Sequence, residues 1–275
     1  MMNKKLIDPF RAAFHNTHEA GRVAFMPFLV AGDPDMKRSL AIFKAVSKYA
    51  DMLEIGFPYT DPLADGPTIQ AADERALKSG INTAKVFDLI KQLRGFYKKP
   101  VTVLVYANIV YQYGVERFYK TCAGAGIQGV LIPDVPYEEA APFVANAKKY
   151  GVCPIFMITR TTTAGRLRNI LKYAEGYLYL VSVLGVTGSR NSLQEDTTGF
   201  IKSIRKQTSL PLALGFGISK AEQIEQAARA GIDGVIAGSA IINVIENHLE
   251  NPAAAAEAFI KGLLRPLDYQ ASIRS

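Results

Sequence analysis

The chain has 275 residues, 49% of them hydrophobic, with a formal net charge of +7, long enough to bury a large core in one big domain or two small ones. Its Lys and Arg residues are scattered, with no basic block longer than a pair and no interleaved aromatics, which argues against nucleic acid as a partner. Cys122 and Cys153 have no CxxC spacing and no partnering His, and no run approaches the roughly 18 apolar residues of a membrane span; a cytoplasmic protein with no metal and no disulfide framework is expected.

Taken in order, the pattern predicts a helix at Pro9–Glu19, then apolar strands at about Ala24–Val30, Met52–Ile55, Val101–Tyr106, Gly129–Ile132, Pro154–Ile158, Tyr177–Val181, Pro211–Leu214 and Gly234–Ala237. Helical patterns separate them at Met36–Tyr49, Ile69–Phe96, Val115–Ala125, Glu138–Tyr150, Gly165–Tyr173, Thr198–Gln207 and Ala221–Ala230, with more helical sequence at Ala253–Leu264. The segments Ala125–Ile132 and Ala230–Ala237 are near copies, each closing a helix with Gly and launching a β-branched strand.

Continuous apolar strands alternating with helices imply parallel strands buried on both faces. Eight such units predict an α/β fold, a (β/α)8 TIM barrel with an additional N-terminal helix and extra helical sequence after strand 8, as a single domain over 1–275. A doubly wound open sheet is the alternative, but no GxGxxG follows the first strand.

Active sites of such barrels sit at the C-terminal ends of the strands. Glu54 ends the second strand there, and the Pro- and Gly-stiffened loop behind it carries Asp61 and Asp65. A carboxylate at the end of a buried strand is costly unless it serves chemistry; the alternative is a helix-capping Glu54 beside two turn-forming aspartates. Asp134 and Tyr179 lie at other strand ends, and Asn108 is either a polar neighbour or a loop-capping amide. Gly215–Ser219 after the seventh strand and Gly238–Ser239 after the eighth have the glycines, hydroxyls and following helix of a phosphate site, or else are ordinary strand-to-helix turns. The polar, Gly-hinged stretch 185–198 reads as a mobile lid or a disordered surface loop. His15, His18 and His248 lie far from strand ends, so no Ser or Cys nucleophile is supported.

The stretch Leu53-Glu-Ile-Gly-Phe-Pro-Tyr-Thr-Asp-Pro-Leu-Ala-Asp-Gly66 resembles the signature of the tryptophan synthase alpha chain family. The resemblance continues through Pro27–Pro34, Tyr106–Asn108, Ile132–Pro136, Gly185–Gly188, Gly215–Ser219 and Gly238–Ser239, nearly the whole chain. It implies a lyase that cleaves indole-3-glycerol phosphate by a retro-aldol reaction into indole and D-glyceraldehyde 3-phosphate, with no cofactor of its own. Glu54 matches the family's catalytic glutamate, Asp65 the aspartate that holds the indole N–H, and Tyr179 a tyrosine lining the site. Phe25 is expected as the apolar wall against the indole ring; Thr187 could close onto the site, and Gly188, Gly217, Gly238 and Ser239 match the phosphate-binding positions.

The resemblance also implies a partner, the pyridoxal-phosphate-dependent beta chain, in an alpha2beta2 tetramer that passes indole through a tunnel. Pro58, Asp61 and Asn108 are expected on the partner-facing rim. Arg160–Thr163 and Val183–Leu184 depart from the family pattern without touching the expected acid/base residues. The competing readings are a non-catalytic barrel subunit that regulates a beta chain, and another phosphate-binding barrel isomerase or synthase. The latter should place a Lys or Cys acid at a strand end, which is not seen. A glycosidase, also built on paired carboxylates, is disfavoured by the phosphate-site pattern and the absence of Trp.

Overall fold

The computed structural model describes residues 9–181, 199–215 and 217–271. Eight strands, β1 (Ala24–Val30), β2 (Leu53–Gly56), β3 (Val101–Leu104), β4 (Gly129–Leu131), β5 (Cys153–Thr159), β6 (Leu178–Val181), β7 (Leu212–Gly215) and β8 (Gly234–Ala237), close into a barrel in chain order. Each strand pairs in parallel with the next, and β1 closes the ring on β8. All residues of β1, β2, β3, β7 and β8 are buried, as their unbroken apolar sequence requires: side chains fill the inside while helices cover the outside.

The helices are α1 (Pro9–Glu19), α2 (Met36–Val46), α3 (Pro67–Lys78), α4 (Thr83–Phe96), α5 (Ala107–Tyr113), α6 (Val115–Gly124), α7 (Ala141–Tyr150), α8 (Ala164–Ile170), helical residues 199–205 (α9), α10 (Ala221–Arg229), α11 (Ser239–Glu246) and α12 (Pro252–Ala271). No described helix is long and apolar enough to cross a membrane. Helix α1 stoppers the N-terminal end of the barrel. Phe10 is fully buried and meets Tyr177 edge-on at 5.4 Å, and Phe14 does so at 6.0 Å. A Cβ on Gly129 would come within 2.9 Å of Phe10, so that strand position leaves room for the stopper only as glycine.

Two expected helices divide and one unexpected helix appears. The predicted helix Ile69–Phe96 is two helices, because Gly80 turns the chain at φ +83° and Asn82 starts α4 by accepting the Lys85 N–H at 3.0 Å. The predicted helix Glu138–Tyr150 is a 3-10 turn at Tyr137–Glu139 followed by α7, with Pro142 in the first turn of α7. Helix α5 was not expected from the sequence. Its start has no side-chain cap of its own; instead Asp134, from the loop after β4, accepts the Ala107 N–H at 3.0 Å. Asp134 therefore fastens two loops of the mouth together.

Candidate active site

At the C-terminal mouth lies a cleft of about 520 Å³. Phe28, Leu104, Met157 and Ile236 supply an apolar side, Asp65 and Tyr179 polar groups, and Gly217, Ser219, Gly238 and Ser239 the opposite end. The strand register brings these together: Phe28 pairs with Glu54, Glu54 with Thr102, and Tyr179 with both Met157 and Ala213. Residues at matching heights on a closed parallel barrel converge whatever their separation in sequence.

Glu54 is fully buried on β2, and neither carboxyl oxygen has a hydrogen-bond partner. Burial pushes its carboxyl up to about 8, and the nearby Asp65 charge adds to the shift. At neutral pH this side chain is a neutral acid holding a transferable proton. It lies below the residues that line the cleft, so contact with a bound molecule requires its flexible side chain to turn towards the mouth. Tyr179, 7% exposed, bridges the two levels: it lines the cleft, and burial followed by the Glu54 charge holds its hydroxyl well above the usual tyrosine range. Its ring lies so close over Gly215 that a Cβ there would collide with the hydroxyl end. Deeper in the barrel, Tyr177 donates to the Thr102 hydroxyl at 3.2 Å.

Asp65 is held by a neighbour that the sequence reading did not single out. Tyr106 donates its hydroxyl proton to Asp65 Oδ2 at 2.7 Å and accepts the Ala64 N–H at 3.0 Å. Burial raises the Asp65 carboxyl while the Tyr106 hydrogen bond works against that rise. The loop also braces itself, with Asp65 N–H bonded to the Pro62 carbonyl at 3.0 Å and Gln70 donating to the Asp65 carbonyl at 2.8 Å. Tyr106 stacks on Tyr59 at 5.0 Å, and Asn108 donates to the Tyr59 hydroxyl at 3.3 Å.

The other end of the cleft offers groups that could hold an anion. Helix α11 begins at Ser239 with Gly238 at its N-cap and no side-chain cap among the described residues; the Gly238 carbonyl takes the Ile241 and Ile242 N–H groups at 2.8 and 3.0 Å, which leaves those of Ser239 and Ala240 as the ones a ligand could meet. Gly217 sits at φ +79° in the facing loop. Among the described lining residues there is no Lys or Arg, so backbone N–H groups, the helix dipole and the Ser219 and Ser239 hydroxyls would carry the interaction.

Several expected positions fall elsewhere. Phe25 does not line the cleft; it faces a groove on the barrel exterior with Arg22, Tyr49 and Lys261. The reason is strand parity: Phe28, three residues on, points to the other side and forms the apolar wall. Phe28 fits there because Gly56 and Gly238 leave room for it, a Cβ on either coming within 2.8 or 3.0 Å of its ring. Pro58 is buried within the chain and shapes the loop, whereas Asp61 and Asn108 are exposed. Thr187, Gly188 and the Val183–Leu184 departure lie outside the described residues. The Arg160–Thr163 departure forms a hydroxyl-rich turn in which Thr162 bonds back to the Thr159 N–H at 3.0 Å and Thr163 caps α8. The alternation of β1 was a signal for Phe28. For Tyr106 there was only its place just beyond β3.

The tryptophan synthase alpha chain family model matches residues 14–266. A tryptophan synthase alpha chain from Methanoregula boonei is 46% identical over 235 residues, covering 85% of this chain and 89% of that one. The crystal structure of tryptophan synthase subunit alpha from Legionella pneumophila superposes with a TM-score of 0.87 at 31% identity, covering 96% of this chain and 99% of that one. A chain of the tryptophan synthase a2b2 complex from Pyrococcus furiosus, solved for the basis of its mutual activation, gives a TM-score of 0.83 at 31% identity over 88% of this chain and 98% of that one.

Proposed function

The chain belongs to the tryptophan synthase alpha chain family, and we propose that its cleft performs the alpha reaction: retro-aldol cleavage of indole-3-glycerol phosphate to indole and D-glyceraldehyde 3-phosphate. It is thus a carbon–carbon lyase of tryptophan biosynthesis, read as one barrel domain over 1–275. The observation that carries this reading is a buried Glu54 with no hydrogen-bond partner, its carboxyl pushed up to about 8 by burial, in the same barrel mouth as an Asp65 oriented by Tyr106 and the start of α11.

The chemistry follows from charge. Glu54 gives its proton to indole C3, which makes the ring an indolenine with positive charge on nitrogen. Asp65 accepts the indole N–H, and its hydrogen bond strengthens as that charge grows. The Glu54 carboxylate then takes the proton from the side-chain hydroxyl next to the ring. The electron pair of that O–H bond forms the aldehyde C=O, and the carbon–carbon pair returns to the ring as indole. Glu54 ends with the proton it began with, so the step balances without metal or organic cofactor. Phe28 and Leu104 flank the indole, Tyr179 orients Glu54, and Gly217, Gly238 and Ser239 hold the phosphate.

The partner is a tryptophan synthase beta chain, which carries the pyridoxal phosphate. An alpha2beta2 assembly is the proposed stoichiometry, and a cytoplasmic location suits such an enzyme. The loop that aims Asp65 also carries Leu63, 95% exposed at its tip, with Asp61 and Asn108 exposed beside it; an apolar tip with a polar surround supports this loop as the docking face. The test is to incubate the purified chain with indole-3-glycerol phosphate, with and without a beta chain, and to measure indole. Glu54→Gln should abolish release while inorganic phosphate still binds. Retained turnover would falsify the assignment.

A further inference from the structure

Helices α3 and α11 both begin at the cleft. Helix α3 starts at Pro67, directly after Asp65 and Gly66, and α11 starts at Ser239 in the anion end. The two helices pack against each other, and a single side chain ties them near their far ends. Arg75 of α3 donates through Nη1 to Glu246 Oε1 of α11 at 2.7 Å. The same guanidinium grips Asp33, in the loop after β1, through Nε at 2.8 Å and Nη2 at 3.1 Å.

Asp33 is 3% exposed, so its charge is tolerable only beside a cation. Arg75 fits the task because a planar guanidinium can grip one carboxylate with two donors and still offer a third to another, which an ammonium cannot do in fixed geometry. Asp73, also buried, lies on the same helix and interacts electrostatically with Asp33 and Asp65. Burial raises the Asp73 carboxyl to about 8, so it holds a proton near neutrality, and the negative charge that Arg75 answers is that of Asp33 and Glu246.

We propose that Arg75 is a positioning residue that sets the spacing between Asp65 and the anion-binding start of α11, by fastening α3 to Glu246 and to Asp33. A helix is stiff over this length, so fixing the far ends fixes the near ends. A substrate that touches both the indole-side aspartate and the phosphate site is sensitive to that spacing. A ligand that occupies the phosphate site alone is not. The inference rests on the proposed alpha reaction for the identity of the two-ended ligand.

The test compares two ligands by titration calorimetry: inorganic phosphate, and a non-cleavable analogue in which indole is joined to phosphate by a saturated three-carbon chain. Glu246→Gln takes the charge from the α11 leg at a half-exposed position and weakens that bond, and Arg75→Lys keeps the charge but not the fork. Each should leave phosphate affinity unchanged, weaken the analogue on the order of tenfold, and raise KM for indole-3-glycerol phosphate more than it lowers kcat. Glu246→Gln placed on an Arg75→Gln background should add no further loss, because both act on one contact. Equal weakening of both ligands, or of neither, overturns the proposal. An unmodified chain that releases no indole overturns the reading of the reaction instead, and the two-ligand comparison still judges the clamp.

Discussion

Tyr106 and Asp65 share a 2.7 Å hydrogen bond in which the tyrosine donates, while the same hydroxyl accepts the Ala64 N–H of the loop. The bond favours the charged form of Asp65 and partly offsets the effect of burial. Tyr106→Phe should therefore let the Asp65 carboxyl rise further. Less of it is ionised near neutrality, so the acid limb of the kcat/KM profile moves to higher pH. The loss at neutral pH should be roughly ten- to a hundredfold, the equivalent of ~1.5–3 kcal/mol for a hydrogen bond to a charged group. Kinetics from about pH 5 to 9 check it; an unmoved acid limb contradicts the role.

Glu54 and Asp73 should make the fold itself sensitive to alkali. Burial raises both to about 8, from 4.5 and 3.8 respectively. Below their ordinary carboxylate values both folded and unfolded chains hold the protons, and this contribution to stability is fully present. As pH climbs from there to about 8, the unfolded chain releases its protons while the folded chain keeps them, so stability falls. Glu54→Gln and Asp73→Asn each remove one such group. Urea midpoints at about pH 5 and pH 8 should fall less between the two conditions in either variant than in the parent chain, and an equal fall in all three would contradict this linkage.

Gly215 is the seat of the Tyr179 ring, with no space for a Cβ. Gly215→Ala must push the ring towards the cleft or shift β7. Either movement disturbs the group that joins the level of Glu54 to the cleft. The expected outcome is a fall in kcat of more than about tenfold, with a stability loss of ~1–3 kcal/mol typical of overpacking. Tyr179→Phe, which keeps the ring and loses the hydroxyl, separates crowding from chemistry: if it behaves like the parent chain, Tyr179 contributes shape alone.

Asp61 sits at the exposed end of the loop whose other end is Asp65, and it accepts the Thr60 hydroxyl at 2.6 Å. Its exposure leaves it free to meet a partner, while Asp65 is aimed independently by Tyr106. Asp61→Ala should keep the basal indole release of the isolated chain and lose most of the stimulation by a beta chain. Titrating the beta chain against a fixed amount of each variant measures this, and unchanged stimulation counts against a partner-sensing role.

Much of this protein could be read from its residues. Eight apolar runs between amphipathic helices leave little besides a closed parallel barrel, because strands buried on both faces need helices outside and a packed interior within. The strand-end rule then pointed to Glu54 and Asp65, and the glycine and serine pattern to Gly217, Gly238 and Ser239, as candidates at the barrel mouth. Tertiary structure decided what depends on distance between segments remote in sequence. Phe28 rather than Phe25 became the apolar wall because one strand alternates and the barrel has an inside. Tyr106 met Asp65 across 41 positions, and Arg75 met Glu246 across 171. Local pattern reports which face a residue occupies, but only the closed ring, with its register, brings such partners within hydrogen-bond reach.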